Sequence, residues 1–242
     1  MPIRRTRKTK RTTRKRRVTS RKARPHARKA PIRSMNWRGS PFPEVMNTTF
    51  TYSEIMTITS TSGVPYNYLF STNSLYDPNV TGAGTQPRFY DTLVGANSTA
   101  APYQYYRVFS SKISIEAFGL DDALNARGFL GIGFFNTNAT GVSSLAEMRQ
   151  RVDFKTKFVG LYTGGHDLTR MSRVGVNKYL WGIKDMKDDE ETAAAYNASP
   201  AKAGRWCISW CPANESTTQN IRVLVKIVYK AQLFSRNDVS DS

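Results

Sequence analysis

The stretch Ile221-Arg222-Val223-Leu224-Val225-Lys226-Ile227-Val228-Tyr229-Lys230-Ala231-Gln232-Leu233-Phe234 decides the fold class. Every odd position from Ile221 to Leu233 is apolar or aromatic. Arg222, Lys226, Lys230 and Gln232 hold the other phase, interrupted by Leu224 and Val228. A period of two over this length is a long β-strand with one face in a core, because successive strand side chains point to opposite sides. The run has no proline and no inward charge, the usual protections of an edge strand, so it is predicted to lie inside its sheet.

The same alternation recurs upstream. Over Thr48–Thr59 it puts Phe50, Tyr52, Met56 and Ile58 on one face, with Glu54 out of place. Over Tyr105–Phe118 it sets Phe109, Ile113, Ile115 and Ala117 against Lys112, Ser114 and Glu116. Shorter strands are predicted at Tyr66–Phe70, Phe129–Phe135, Lys157–Thr163, Asp167–Val176 and Arg205–Cys211, eight strands in all. Helical signals are brief: Ser143–Gln150, with Leu145 and Met148 behind a serine cap; Asp188–Tyr196, where acidic residues precede three alanines; and a turn at Phe89–Val94. The connections are long for hairpins, and no internal repeat marks a propeller or solenoid. The predicted fold is all-β: an eight-stranded antiparallel jelly roll with long loops and a disordered basic N-terminal arm.

Charge divides the chain more sharply than hydropathy does. The 242 residues carry a net +18, yet residues 1–33 hold 16 of the 36 lysines and arginines and no acid. Residues 34–242 are left with 20 basic against 18 acidic side chains. Ile3, Val18 and Ile32 are the only large aliphatics of the leading segment, too few to offset its ordering entropy, so it is expected to stay disordered until phosphate binds. The organisation read here is an arm over 1–33, a linker over 34–47, a shell domain over 48–236 and a flexible C-terminus over 237–242. Candidate nucleic-acid contacts are Arg4, Arg5, Arg7, Lys8, Lys10, Arg11, Arg14, Lys15, Arg16, Arg17, Arg21, Lys22, Arg24, Arg28, Lys29 and Arg33. Arg14-Lys15-Arg16-Arg17 also suits a nuclear import signal. Trp37, next to Arg38, either stacks on a base or plugs the underside of the domain. The arm lacks apolar residues for membrane insertion, and neither a membrane-spanning helix nor a secretory leader is predicted.

No catalytic constellation emerges. His26 lies in the basic arm, and His166-Asp167 in a glycine turn has no nucleophile beside it in sequence, so no enzyme activity is expected. The two histidines and two cysteines lack metal-ligand spacing, and no cofactor motif is present. The acidic run Asp185, Asp188, Asp189, Glu190 and Glu191 reads as a solvated loop rather than a metal site. Cys207 and Cys211, four apart on one strand face, would lie about 13 Å apart, beyond disulfide reach, and are expected to stay reduced.

Several soft motifs bring a family into view. They are the Arg-rich start; Tyr76-Asp77-Pro78 leading to Thr81-Gly82-Ala83-Gly84-Thr85-Gln86-Pro87-Arg88-Phe89-Tyr90-Asp91; Tyr103-Gln104-Tyr105-Tyr106-Arg107-Val108 running into Ser111-Lys112-Ile113; and a last strand ending Phe234-Ser235-Arg236. In order and spacing the chain resembles the capsid proteins of circovirus-like viruses, whose small circular single-stranded DNA genomes encode a replication initiator. The resemblance implies a jelly roll with its arm inward, a shell of sixty identical subunits, a single-stranded DNA genome as cargo, host import receptors, an attachment receptor of unknown identity, and residence in the virion and the host nucleus. Sixty arms of 16 charges each would bring about 960 positive charges inside, the scale needed against roughly two thousand phosphates. A capsid protein of a small RNA or satellite virus shares this plan. A ribosomal protein with a basic extension is a further alternative, although its globular part would usually be basic too.

Overall fold

In the computed structural model, the described residues are 42–61, 64–82, 85–96, 101–119, 127–136, 141–160, 168–213 and 218–237. The C-terminal stretch forms one strand, Gln219–Arg236, and its odd-numbered side chains Ile221 to Leu233 are all 2% exposed or less. In chain order the strands are β1 (Met46–Ser60), β2 (Tyr66–Ser71), β3 (Tyr103–Gly119), β4 (Gly128–Asn136), β5 (Phe154–Val159), β6 (Thr169–Val176), β7 (Ala193–Ala195), β8 (Gly204–Pro212) and β9 (Gln219–Arg236). Three short helices intervene: α1 (Tyr90–Leu93), α2 (Leu145–Gln150) and α3 (Asn177–Trp181).

The strands form two antiparallel sheets. Sheet A has the order β1-β9-β3-β6, and β7 pairs with β3 beyond the end of β6; sheet B has the order β2-β8-β4-β5. Apart from β7, these are the eight strands expected, and their order is that of a jelly roll, with consecutive strands repeatedly passing from one sheet to the other. The final strand is interior to its sheet, flanked by β1 and β3 along its length.

Aromatic side chains with one polar end tie the sheets to the loops. Trp206, buried between the sheets, donates from its indole nitrogen to Ser111 Oγ at 2.9 Å. Tyr229 donates to the Ser71 carbonyl at 2.9 Å, Tyr106 to that of Ala198 at 2.8 Å and Tyr90 to that of Tyr196 at 2.6 Å. Each ring adds apolar area to the core while its hydroxyl satisfies a carbonyl that would otherwise cost about 1–3 kcal/mol unpaired. The out-of-place Glu54 lies on the inward side of β1, where it accepts hydrogen bonds from the Tyr52 hydroxyl and, at 2.8 Å, from Asn79 Nδ2.

A second apolar layer covers the other side of sheet B. Cys207 and Cys211 point away from the inter-sheet core and pack with Phe135, Val142, Met148 and Phe154. Outward Gly131 and Gly133 of β4 make room for it: a Cβ there would meet Met148 Sδ at 2.9 Å and the Phe154 ring at 2.5 Å. Both cysteines are free and buried, as their strand spacing required. Ser144 caps α2, accepting from Glu147 N at 3.1 Å, and Met148 on its inner side is fully buried, in agreement with the sequence reading.

Several expectations are corrected. Asp188–Tyr196 is not a helix: Met186–Asp188 and Glu190–Thr192 form 3-10 turns, and Ala193–Ala195 is β7. Pairing with Tyr105–Arg107 outweighs the helix preference of alanine, which is worth only a few tenths of a kcal/mol per residue. Phe109 leaves the core row, because a bulge between Val108 and Ser110 shifts the inward phase from Tyr106 and Val108 to Ser111, Ile113 and Ile115. β5 begins earlier than expected, at Phe154, and ends at Val159, while 161–163 fall outside the described residues. β1 begins at Met46, inside the expected linker, because Met46 and Asn47 already pair with Leu233 and Gln232. Asn237, expected in a flexible tail, is buried and donates to the Pro102 and Ala101 carbonyls at 2.9 and 2.7 Å.

Candidate nucleic-acid interface

The cations from Arg4 to Arg33, with Trp37 and Arg38, lie outside the described residues, as do His26 and His166-Asp167. The described chain begins at Phe42-Pro43, ahead of β1. There the Tyr103 hydroxyl donates to the Pro43 carbonyl at 2.8 Å, an Arg236 guanidinium nitrogen donates to that of Phe42 at 3.3 Å, and the Phe42 and Tyr103 rings meet edge-on at 6.4 Å. The chain then runs into β1, the neighbour of β9.

The two sheets present different outer faces. That of sheet B lies under α2 and the apolar layer around Met148 and Phe154. On sheet A, Arg222, Lys226 and Lys230 of β9 and Lys112 of β3 are exposed. Register places Lys112 opposite Val228, hence between Lys226 and Lys230 on the adjoining strand. Thr57, Ser53 and Thr49 of β1 stand opposite Arg222, Lys226 and Lys230. Glu116 is the one carboxylate among the outward residues of the four long strands, and Arg170 holds it at 3.0 Å. Among the described residues, none of the four exposed cations has a carboxylate within ion-pair distance. The sequence reading recognised these side chains as the polar phase of their strands; their clustering depends on strand pairing.

The acidic run lies at the β7 end of sheet A. Arg107, 7% exposed, stacks over Phe234 with its guanidinium 5.3 Å from the ring centre and donates to the Asp189 carbonyl at 3.4 Å. Burial pulls this guanidinium down from its ordinary value, while Asp189, Asp185, Asp188 and Glu190 act in the opposite direction. Lys202 bridges Asp189 and Glu191 at 2.6 and 2.8 Å. The run therefore supplies counter-charge to two cations, and no group of three or more potential metal ligands comes together among the described residues.

A third feature surrounds Phe89. It is 61% exposed at φ 67°, a left-handed conformation that bulky side chains rarely adopt, and the Arg88 guanidinium sits 4.7 Å from its ring centre. Open grooves of about 770 and 610 Å³ flank this pair.

No protein-family model matches the chain, and no curated protein does. Among solved structures, it is similar to the decameric BFDV capsid protein, with 12% identity, 79% of this chain and 99% of that chain covered, and a TM-score of 0.44. The 60-mer of the BFDV capsid protein gives 12% identity, coverage of 83% and 100%, and a TM-score of 0.44. The structure of Cocksfoot mottle virus gives 12% identity, coverage of 80% and 97%, and a TM-score of 0.45. At these values the fold assignment rests on the sheet order itself.

Proposed function

We propose that this chain is a viral capsid protein: its jelly roll tiles a small icosahedral shell, and its basic N-terminal arm packages the genome. The observation that carries this reading is the segregation of charge, with 16 cations and no acid in residues 1–33 against a near-balanced remainder. A near-neutral domain can meet copies of itself without strong mutual repulsion, while the arm releases counterions from a polyanion. The cargo is circular single-stranded DNA on the strength of the sequence resemblance. Arg14-Lys15-Arg16-Arg17 would then serve nuclear import before assembly.

Electron microscopy of the purified full-length protein, with nuclease digestion of its contents, tests this. Closed shells holding DNase-sensitive single strands are expected. RNase-sensitive contents would move the assignment to a small RNA virus, and a monomer or ribonucleoprotein without shells would overturn the capsid reading. An arm engaging about 5–10 phosphates gives a slope of log K against log salt of about −3.5 to −7, with little preference between oligonucleotides of equal length.

A further inference from the structure

We propose that the outer face of sheet A is a second phosphate-binding surface, on which the backbone of a single-stranded nucleic acid lies along β9. This rests on the packaging function proposed above and adds an ordered surface to the arm.

Four exposed cations, Lys112, Arg222, Lys226 and Lys230, share this face without a carboxylate partner among the described residues. Their arrangement follows from the pairing. Four positions along a strand is about 13 Å and neighbouring strands are about 4.8 Å apart, so Lys112, Lys226 and Lys230 enclose a compact positive patch that Arg222 extends. Hydroxyls border it: Thr49 opposite Lys230, Ser114 opposite Lys226 and Thr57 opposite Arg222. Lysine, arginine and short hydroxyl side chains are the groups that hold phosphates. The four cations stand on paired strands of one sheet face and offer point charges to phosphates, so the expected ligand is the backbone, whatever its sequence. The acidic run covers only the Arg107 end. Within the acidic run Asp189 and Glu191 already hold Lys202, while the exposed Asp185, Asp188 and Glu190 make a neighbouring subunit the competing occupant, which the shell readout below separates.

The test uses the full-length protein and an oligothymidylate of about 20 nucleotides, with affinity measured across a salt series. One variant combines Lys112→Gln, Arg222→Gln, Lys226→Gln and Lys230→Gln; a comparator replaces Arg14, Lys15, Arg16 and Arg17 by Gln in the arm. Losing four phosphate contacts makes the slope shallower by about 2.8, and lysine-to-arginine replacements on the face should restore it. In unmutated protein, oligonucleotide should slow acetylation of Lys112, Lys226 and Lys230 severalfold, a readout that survives any folding defect of the variant. If the face variant keeps the parent slope while the arm variant does not, the proposal falls and the arm reading stands. An unchanged slope with loss of shells also overturns it and makes the face a subunit contact. Binding by the parent protein that ignores salt would sink both.

Discussion

Replacing Val225 by aspartate tests the assignment on which the architecture depends. Val225 has no exposure at the middle of β9, directly opposite Glu54 of β1 and Ile115 of β3. Losing its transfer free energy costs about 1.5 kcal/mol. The new carboxyl cannot stay charged there without a partner. Holding a group with an ordinary pKa near 3.9 protonated at pH 7 costs about 4 kcal/mol at about 1.36 kcal/mol per unit. The sum, about 5–7 kcal/mol, is comparable to the whole stability of a typical domain, about 5–15 kcal/mol. Urea unfolding followed by fluorescence of the buried Trp206 and Trp210 should show no cooperative transition, or the variant should be insoluble. Lys226→Gln, one position along on the exposed face, should stay within about 0.5 kcal/mol of the parent. A soluble Val225→Asp protein with the parent midpoint would show that this face is not core.

Other expectations are as direct. Arg151 donates to both carboxylate oxygens of Asp153, at 2.9 and 2.5 Å, and holds that carboxyl below its ordinary value. The stabilisation is present above the ordinary carboxylate range and lost as pH falls through the lowered folded value. Asp153→Asn should therefore lower the melting temperature at pH 7 by an amount corresponding to about 1 kcal/mol, the gap closing as pH falls below the ordinary carboxylate range. Burial pushes the Cys207 thiol up to about 12, so iodoacetamide should leave it unmodified in native protein at pH 8 and label it in urea; rapid native labelling would contradict the outer apolar layer of sheet B. Phe89→Gly relieves a left-handed backbone at an exposed site and should raise stability by about 1 kcal/mol in thermal melts; a lower melting temperature would mean that the ring's contacts outweigh the strain.

What was legible in the sequence follows from what each signal measures. β1, β3 and β9 were readable because one face is buried and the other wet, which writes a period of two into the chain. β8 was readable as a strand but not as one buried on both faces, because the α2 layer over Cys207 and Cys211 appears only when Gly131 and Gly133 are placed beneath Met148 and Phe154. The bulge at Phe109 left no mark, since an apolar residue fits either phase. Ala193–Ala195 misled because three alanines favour a helix locally, while the free edge of β3 that recruits them lies almost ninety residues away. The arm's charge was plain from composition. The basic face was not, because cations in the outward phase of a strand ordinarily face solvent, and Lys112 joins Lys226 and Lys230 only through pairing.

The near-neutral balance of the shell domain is consistent with a phosphate-binding face because its charges are sorted. Glu147 and Asp153 are held by Arg151, Glu116 by Arg170, and Asp189 and Glu191 by Lys202. The rest of the acidic run acts on buried Arg107. These pairings place acids at the α2 corner, at the β7 end and, for Glu116, beside Arg170 on sheet A, and leave Lys112, Arg222, Lys226 and Lys230 without such a partner among the described residues. At physiological ionic strength a phosphate responds to charges within about 8 Å, so it senses the local patch and not the domain sum. A domain carrying only a small excess of positive charge can thus remain compatible with copies of itself at its flanks while one sheet face stays cationic. Reversing the sign of that face alone would leave the pairings elsewhere intact, which makes it separable by mutation from both the core and the arm.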